Sequence, residues 1–360
     1  MGTGGRGGLE DIVVSTSDIC FIDGREGRLV YRGYDVNDLV EHSSFEEVIF
    51  LLWHGGLPSK KELLAHTKAL SSTANRKLPP GILALLKSLP KKTTPMEVLR
   101  TGISALSAYD PDAADNSKDA TARKALRLTA QMPTLVAAWD RIRKGKAPVA
   151  PNPKVNLAAN FLYMLTGKRA TPLAEKTFDV ALILHADHEF NASTFAARVT
   201  AATMSDLHSA IVSAIGALKG PLHGGANEQV MLMVQKIKTP ANADAWIRKT
   251  LADHGRVMGF GHRVYRTEDP RAACLRATAD EIGAPRVDLA RAVEREALAQ
   301  LRAAKPDRVL ATNVEFWSAV TLEGASRREI GAAEAGVSRA GGPASALFSA
   351  REPTSHNSLQ

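Results

Sequence analysis

Cysteine is scarce in this chain, aromatic residues are few, and no long apolar run is present. The two cysteines among 360 residues, Cys20 and Cys274, stand far apart with no close Cys or His companions. That argues against a disulfide framework or a thiolate zinc site and fits a reducing compartment. No apolar stretch approaches the roughly 20 residues of a membrane span, and the opening MGTGGRGGLEDIVV has no apolar core behind a basic lead. These absences predict a soluble, cytoplasmic protein with no membrane partner. Aromatics make up 5% of the chain, and none interleave with the basic runs at Lys91-Lys92 and through Arg141, Arg143, Lys144 and Lys146. The runs therefore read as solvated faces, and no nucleic-acid partner is expected.

What is present is an ordinary globular composition, 44% hydrophobic and 23% charged. At roughly 150 residues per domain the length suggests about two domains. The net charge of +8 suits either nucleic acid or an enzyme whose substrates carry several negative charges, and charge alone does not choose between them.

Ile19 to Ile22 and Arg28 to Arg32 read as two short strands around the glycine-containing turn Asp23–Gly27. From Ser44 onward the apolar spacing is helical almost everywhere. Breaks fall at Gly55-Gly56-Leu57-Pro58, at Leu78-Pro79-Pro80-Gly81, and at Pro148 to Pro153. Long helices are expected over about 117–144, 154–166, 171–186, 192–203, 205–217, 223–236, 241–253, 270–282 and 286–304. The stretch from Glu323 to Gln360 holds 19 Ala, Gly or Ser and only five larger apolar residues, so it promises little core. The pattern predicts a mostly α, multi-helical enzyme with a short N-terminal β-hairpin.

Three segments carry candidate chemistry: His185-Ala186-Asp187-His188, Pro221-Leu222-His223-Gly224-Gly225, and Met258-Gly259-Phe260-Gly261-His262-Arg263. His223 sits where one helix stops and the next opens, so the positive end of the helix dipole should hold its ring neutral. A neutral imidazole can donate a hydrogen bond to a carbonyl that is becoming an enol oxygen. His262 is followed by Arg263, Arg266 and Arg271, whose guanidinium forks suit carboxylates and phosphates. A surface loop of solvated arginines is the plainer alternative. His185 and His188, three apart, would share a helical face; a metal site built from the histidines is possible on residue type, but the spacing is not that of a zinc protease. His185 is expected to be a satisfied interior residue. Glu315, in Asn313-Val314-Glu315-Phe316-Trp317, has apolar neighbours; partial burial would raise its pKa and make it a usable base.

The ordered set Ile22-Asp23-Gly24 with Tyr31-Arg32-Gly33-Tyr34-Asp35, Ser44-Phe45-Glu46-Glu47, Ala158 to Met164, and the three histidine segments resembles the citrate synthase family. The similarity is to its shorter, dimeric bacterial and archaeal type, which includes 2-methylcitrate synthases, and runs from about Gly8 to Trp317. It implies a large helical domain over 1–220, with 321–360 returning to it, and a small domain over 221–320 carrying the acyl-CoA-binding and catalytic segments. It further implies an acyltransferase that condenses acetyl-CoA, or propionyl-CoA, with oxaloacetate in a cleft completed by the second subunit of a homodimer. The thioester is a co-substrate, and no tightly bound cofactor or metal is implied.

By the same resemblance His223 bonds the thioester carbonyl and His262 polarises the ketone. His188, Arg271 and Arg339 hold oxaloacetate, and Glu315 is the base. Met258, Gly259, Phe260 and Gly261 offer backbone to the adenine, and Arg266 reaches phosphate. Two departures stand out. The family base is usually aspartate, and one extra methylene can displace a base by about 1 Å, enough for a rate loss on the order of a hundredfold. After Leu322 the expected apolar helix and terminal Arg-Pro segment have no counterpart, which suggests a truncated or frame-altered tail and leaves open a weakly active, ligand-binding paralogue.

Overall fold

The computed structural model describes residues 16–220, 223–306 and 308–330. It opens on a three-stranded antiparallel sheet in the order β1 (Cys20–Asp23), β2 (Arg28–Tyr31), β3 (Tyr34–Asp35). Cys20 pairs with Tyr31 and Asp23 with Arg28, so the hairpin forms where the sequence places it. Asp23 Oδ1 accepts from the N–H groups of Arg25 and Glu26 at 2.9 and 3.0 Å and sets the turn. The third strand was not foreseen. Arg32 and Gly33 take φ of +50° and +91°, the left-handed pair that a two-residue hairpin loop requires.

Helices make up the rest. Those expected recur at Lys118–Arg143, Leu157–Thr166, Pro172–Leu184, Ala192–Ala202, Leu207–Leu218, Ala226–Ile237, Ala243–Ala252, Pro270–Glu281 and Val287–Ala304. Local chemistry starts many of them: Ser44 with Glu47, and Ser59 with Glu62, close reciprocal capping boxes. A helix at Pro95–Leu106, started by the same device at Thr94 and Glu97 with proline at its first position, was not expected. No helix among the described residues is long and apolar enough to cross a membrane.

Two apolar clusters hold the molecule together. One packs helices Pro80–Ser88, Pro95–Leu106, Lys118–Arg143 and Leu207–Leu218 around Trp139. The other joins the hairpin, through Leu29 and Tyr31, to helices Leu157–Thr166 and Pro172–Leu184 and onward to Phe316 and Trp317. The final described helix, Val314–Ile330, corrects the reading that core ends at Glu323: Glu323, Ala325 and Ser326 are all buried. Small residues contribute here because the helix lies close to the turn that follows Pro270–Glu281; a Cβ on Gly324 would meet the Ala284 Cβ at 2.9 Å.

Candidate active site

The loop after helix Pro172–Leu184 carries the first two histidines. The helix stops at Leu184, so His185 and His188 do not share a helical face as their spacing suggested. His185 caps the helix, its Nδ1 2.7 Å from the Ala181 carbonyl. It is an interior residue whose pKa burial, reinforced by Arg271, lowers to about 4. His188 lies edge-on to the rings of His262 and Tyr265, with centroids 5.3 and 5.6 Å away. Burial first, then the Arg271 charge, holds it well below the usual imidazole range. Its Nε2 is buried with no hydrogen-bond partner. Such an orphan costs on the order of 1–3 kcal/mol unless a ligand satisfies it.

His262 sits mid-loop rather than at a helix end. Its Nδ1 accepts from the N–H groups of Val264 and Tyr265 at 3.0 and 3.1 Å. An accepting nitrogen carries no proton, so the proton resides on Nε2. Burial, then Arg271, lowers this histidine to about 4 against the opposing pull of Asp269. Near neutral pH it is therefore an uncharged donor.

The three arginines do not form one cluster. Arg263 and Arg266 are exposed, whereas Arg271 is buried and clamped by Asp269, which accepts from its Nε at 3.0 Å and its Nη2 at 2.7 Å. Burial works against the guanidinium charge, but the Asp269 carboxylate outweighs it and holds the pKa above the ordinary value. Asp269 also caps helix Pro270–Glu281 and accepts from the Val314 N–H at 3.2 Å. One buried carboxylate thus fixes both Arg271 and the start of the helix that carries Glu315. Sequence reasoning passed over it, although Asp-Pro is an ordinary helix-start signal.

Burial pushes Glu315 up to about 7, with Arg271 pulling down and Asp269 pushing up. Its backbone N–H is held by Asn313 Oδ1 at 3.1 Å. The glycine loop docks beside it: the Gly261 N–H donates to Ala311 at 2.7 Å and the Asn313 N–H to Gly259 at 3.0 Å. A Cβ on Gly259, where φ is +89°, would meet Phe316 Cβ at 2.7 Å. These glycines thus let the loop pack against the Glu315 helix, and the Gly261 N–H is already used. Antiparallel pairing of Phe260 with Thr312 turns the Phe260 N–H and C=O the other way. Met258 and Phe260 pack against the core with partly buried side chains.

Burial lowers the pKa of His223, and its Nε2 lies 2.6 Å from Ser193 Oγ. Ser193 begins helix Ala192–Ala202 under the Asn191 cap, so His223 joins the group through the segment that follows His188. Ser193 was not anticipated. Arg339 lies outside the described residues. Among the described residues no three His, Cys, Asp or Glu side chains converge as a metal ion would require.

Over residues 8–353 the chain matches the family described as citrate synthase, C-terminal domain. The chain belongs to the citrate synthase family. The match continues past Trp317, where the sequence reading ended it. A citrate synthase of Haloferax volcanii is 45% identical over 321 residues, covering 87% of this chain and 83% of that protein. A 2-methylcitrate synthase of Mycobacterium tuberculosis is 45% identical over 279 residues, covering 78% and 70%. Among solved structures, the Thermoplasma acidophilum citrate synthase in ternary complex with carboxymethyl coenzyme A and oxaloacetate superposes with a TM-score of 0.85 at 28% identity, covering 94% of this chain and 88% of that one. The chain is accordingly an acyl-transferring enzyme of mostly α citrate synthase fold.

Proposed function

We propose that this chain condenses acetyl-CoA with oxaloacetate and water to give citrate and free CoA. The observation that carries the reading is the Nδ1 of His262, satisfied by two backbone N–H groups, which leaves a neutral Nε2–H beside a buried guanidinium and a carboxylate of raised pKa. The Glu315 carboxylate takes a methyl proton from acetyl-CoA while His223 donates a hydrogen bond to the thioester oxygen. With Ser193 donating to Nε2, the His223 ring proton is on Nδ1 and is available for that bond. The enol carbon then attacks the ketone of oxaloacetate, whose oxygen gathers charge against His262 Nε2–H and becomes a hydroxyl by taking that proton, which the ring regains as Glu315 gives up the one it removed. Water finally cleaves the thioester and releases the thiol. Weak carbon acids need this simultaneous base and oxyanion support.

Arg271, His188 and Arg339 hold the oxaloacetate carboxylates; the partnerless His188 Nε2 supports its share. Met258, Gly259, Phe260 and Gly261 receive the adenine on the outward backbone of Phe260, and the exposed Arg266 meets phosphate. We also infer a division into residues 1–220 with 321–360 and residues 221–320, closing over substrate, in a cytoplasmic homodimer. The free thiols of Cys20 and Cys274 suit that compartment. A 2-methylcitrate synthase reading, with propionyl-CoA, is kept open by the relative of that name; one methylene is worth only about 1–3 kcal/mol of discrimination.

Mixing the protein with oxaloacetate and either thioester, and following free thiol, tests the reading. Thiol release that is abolished in His223→Ala is expected, with the larger kcat/KM for acetyl-CoA. Preference for propionyl-CoA selects the second reading. Oxaloacetate binding by calorimetry without turnover of either thioester would reduce the chain to a binding paralogue.

A further inference from the structure

The N-terminal hairpin touches the loops of both His188 and His262, which lie far apart in sequence. On one side, the Tyr31 hydroxyl lies 3.0 Å from the Asp187 carbonyl and 3.2 Å from that of Ile183, and it accepts from the Asp187 N–H at 3.4 Å. Tyr31 is fully buried. From β1, the Ile22 N–H donates to Glu189 Oε1 at 3.0 Å. The residues immediately before and after His188 are thus both bonded to the hairpin. Glu189 also takes φ of +53°, a conformation that costs a non-glycine residue free energy and persists only where the surroundings enforce it.

On the other side, the turn between β1 and β2 is laid across the His262 loop. The Arg266 N–H donates to the Gly24 carbonyl at 2.6 Å. The fit is close: a Cβ on Gly24 would fall 2.3 Å from the Val264 carbonyl oxygen, and one on Gly27 would meet Thr267 Cγ2 at 2.8 Å. Val264 is the residue whose N–H holds His262 Nδ1. A displacement of its peptide would therefore reach the ring that carries the Nε2 proton.

We propose that the hairpin is a strap that sets His188 and His262 against each other for oxaloacetate, with Tyr31 and Gly24 as its positioning residues. The inference rests on the function proposed above. Neither residue touches substrate. Each acts through the backbone of a histidine loop, and the ring contact between the two histidines is the geometry they maintain.

The experiment compares Tyr31→Phe, Gly24→Ala and Leu29→Ala, the last a core truncation on the same hairpin whose apolar side chain makes no hydrogen bond to either histidine loop. Oxaloacetate KM, acyl-CoA KM, kcat, oxaloacetate affinity by calorimetry and Tm are measured for each. Tyr31→Phe and Gly24→Ala are expected to weaken oxaloacetate binding about tenfold or more, and Tyr31→Phe, whose hydroxyl bonds only on the His188 side, to keep acyl-CoA KM within twofold of the parent. Leu29→Ala should lower Tm and leave oxaloacetate affinity unchanged. The strap is overturned if Tyr31→Phe moves both KM values alike, if either of the first two variants leaves oxaloacetate affinity unmoved, or if Leu29→Ala weakens oxaloacetate binding as much as they do. Should Gly24→Ala not fold, Tyr31→Phe, which loses only a hydroxyl, decides by the same criteria. Absence of oxaloacetate binding in the parent protein would instead remove the proposed function itself.

Discussion

The two halves of the site fix an imidazole in different ways. Around His262 the supports are backbone N–H groups, a bidentate Asp269–Arg271 pair and the hairpin turn, all part of the folded framework. Around His223 one serine hydroxyl supplies the contact. Backbone donors are costly to move, because a shift must break the loop's own pairing, whereas a hydroxyl rotor can follow its partner. The surroundings of His262, to which the proposed reaction gives the dicarboxylate, are therefore preorganised. His223, to which it gives the thioester, keeps one adjustable contact, which suits a second substrate carried on a long, jointed chain.

The sharpest way to break this comparison is Arg271→Gln. Losing two charge-assisted bonds to a carboxylate ligand should raise oxaloacetate KM on the order of a hundredfold or more, and leaving Asp269 buried and unpaired should cost about 3–5 kcal/mol of stability. The double variant Asp269→Asn with Arg271→Gln is expected to recover part of the Tm but not the KM. An equal rise in acyl-CoA KM would deny that the halves are separate.

Glu315 is the base of the proposed reaction, and pH reads it. A base must be ionised, and burial places this carboxylate at about 7, so kcat/KM should fall about tenfold per pH unit below that value. His262 and His185, at about 4, remain neutral over that range and add no second slope. Glu315→Gln should lower kcat by roughly 10²- to 10⁴-fold and flatten the acid limb. Glu315→Asp should keep the limb with a reduced kcat; an increase would show that the glutamate, rather than its surroundings, limits the reaction.

The smallest expected effect is that of Ser193→Ala. Loss of one neutral hydrogen bond, about 0.5–1.5 kcal/mol, should reduce kcat roughly two- to tenfold and leave oxaloacetate KM in place. A shift in oxaloacetate KM as large as that in kcat would mean that His223 is set by the same framework as His262.

Much of the fold was legible because its signals are local. The hairpin rests on Asp23 and the glycines of its turn, and six of the nine expected helices begin at serine, threonine, asparagine or aspartate caps. Pro95–Leu106 was readable from Thr94-Pro95-Met96-Glu97 and was overlooked. Burial of Glu323, Ala325 and Ser326 was not readable: small and polar residues become core only when a neighbouring helix comes close. At the candidate site, residue type and family resemblance singled out His188, His223, His262, Arg271 and Glu315. Asp269 and Ser193 escaped because their value lies in what they hold.

The sequence by itself determined where strands turn, where helices begin and which imidazoles, carboxylates and guanidinium groups were available, since those outcomes depend on neighbours a few residues away. Only the tertiary structure decided that His185 and His188 do not share a helical face, that Arg271 is buried while Arg263 and Arg266 stay in water, and which nitrogen of His262 holds the proton. Those outcomes depend on desolvation and on partners brought from distant parts of the chain, and neither exists until the core has closed.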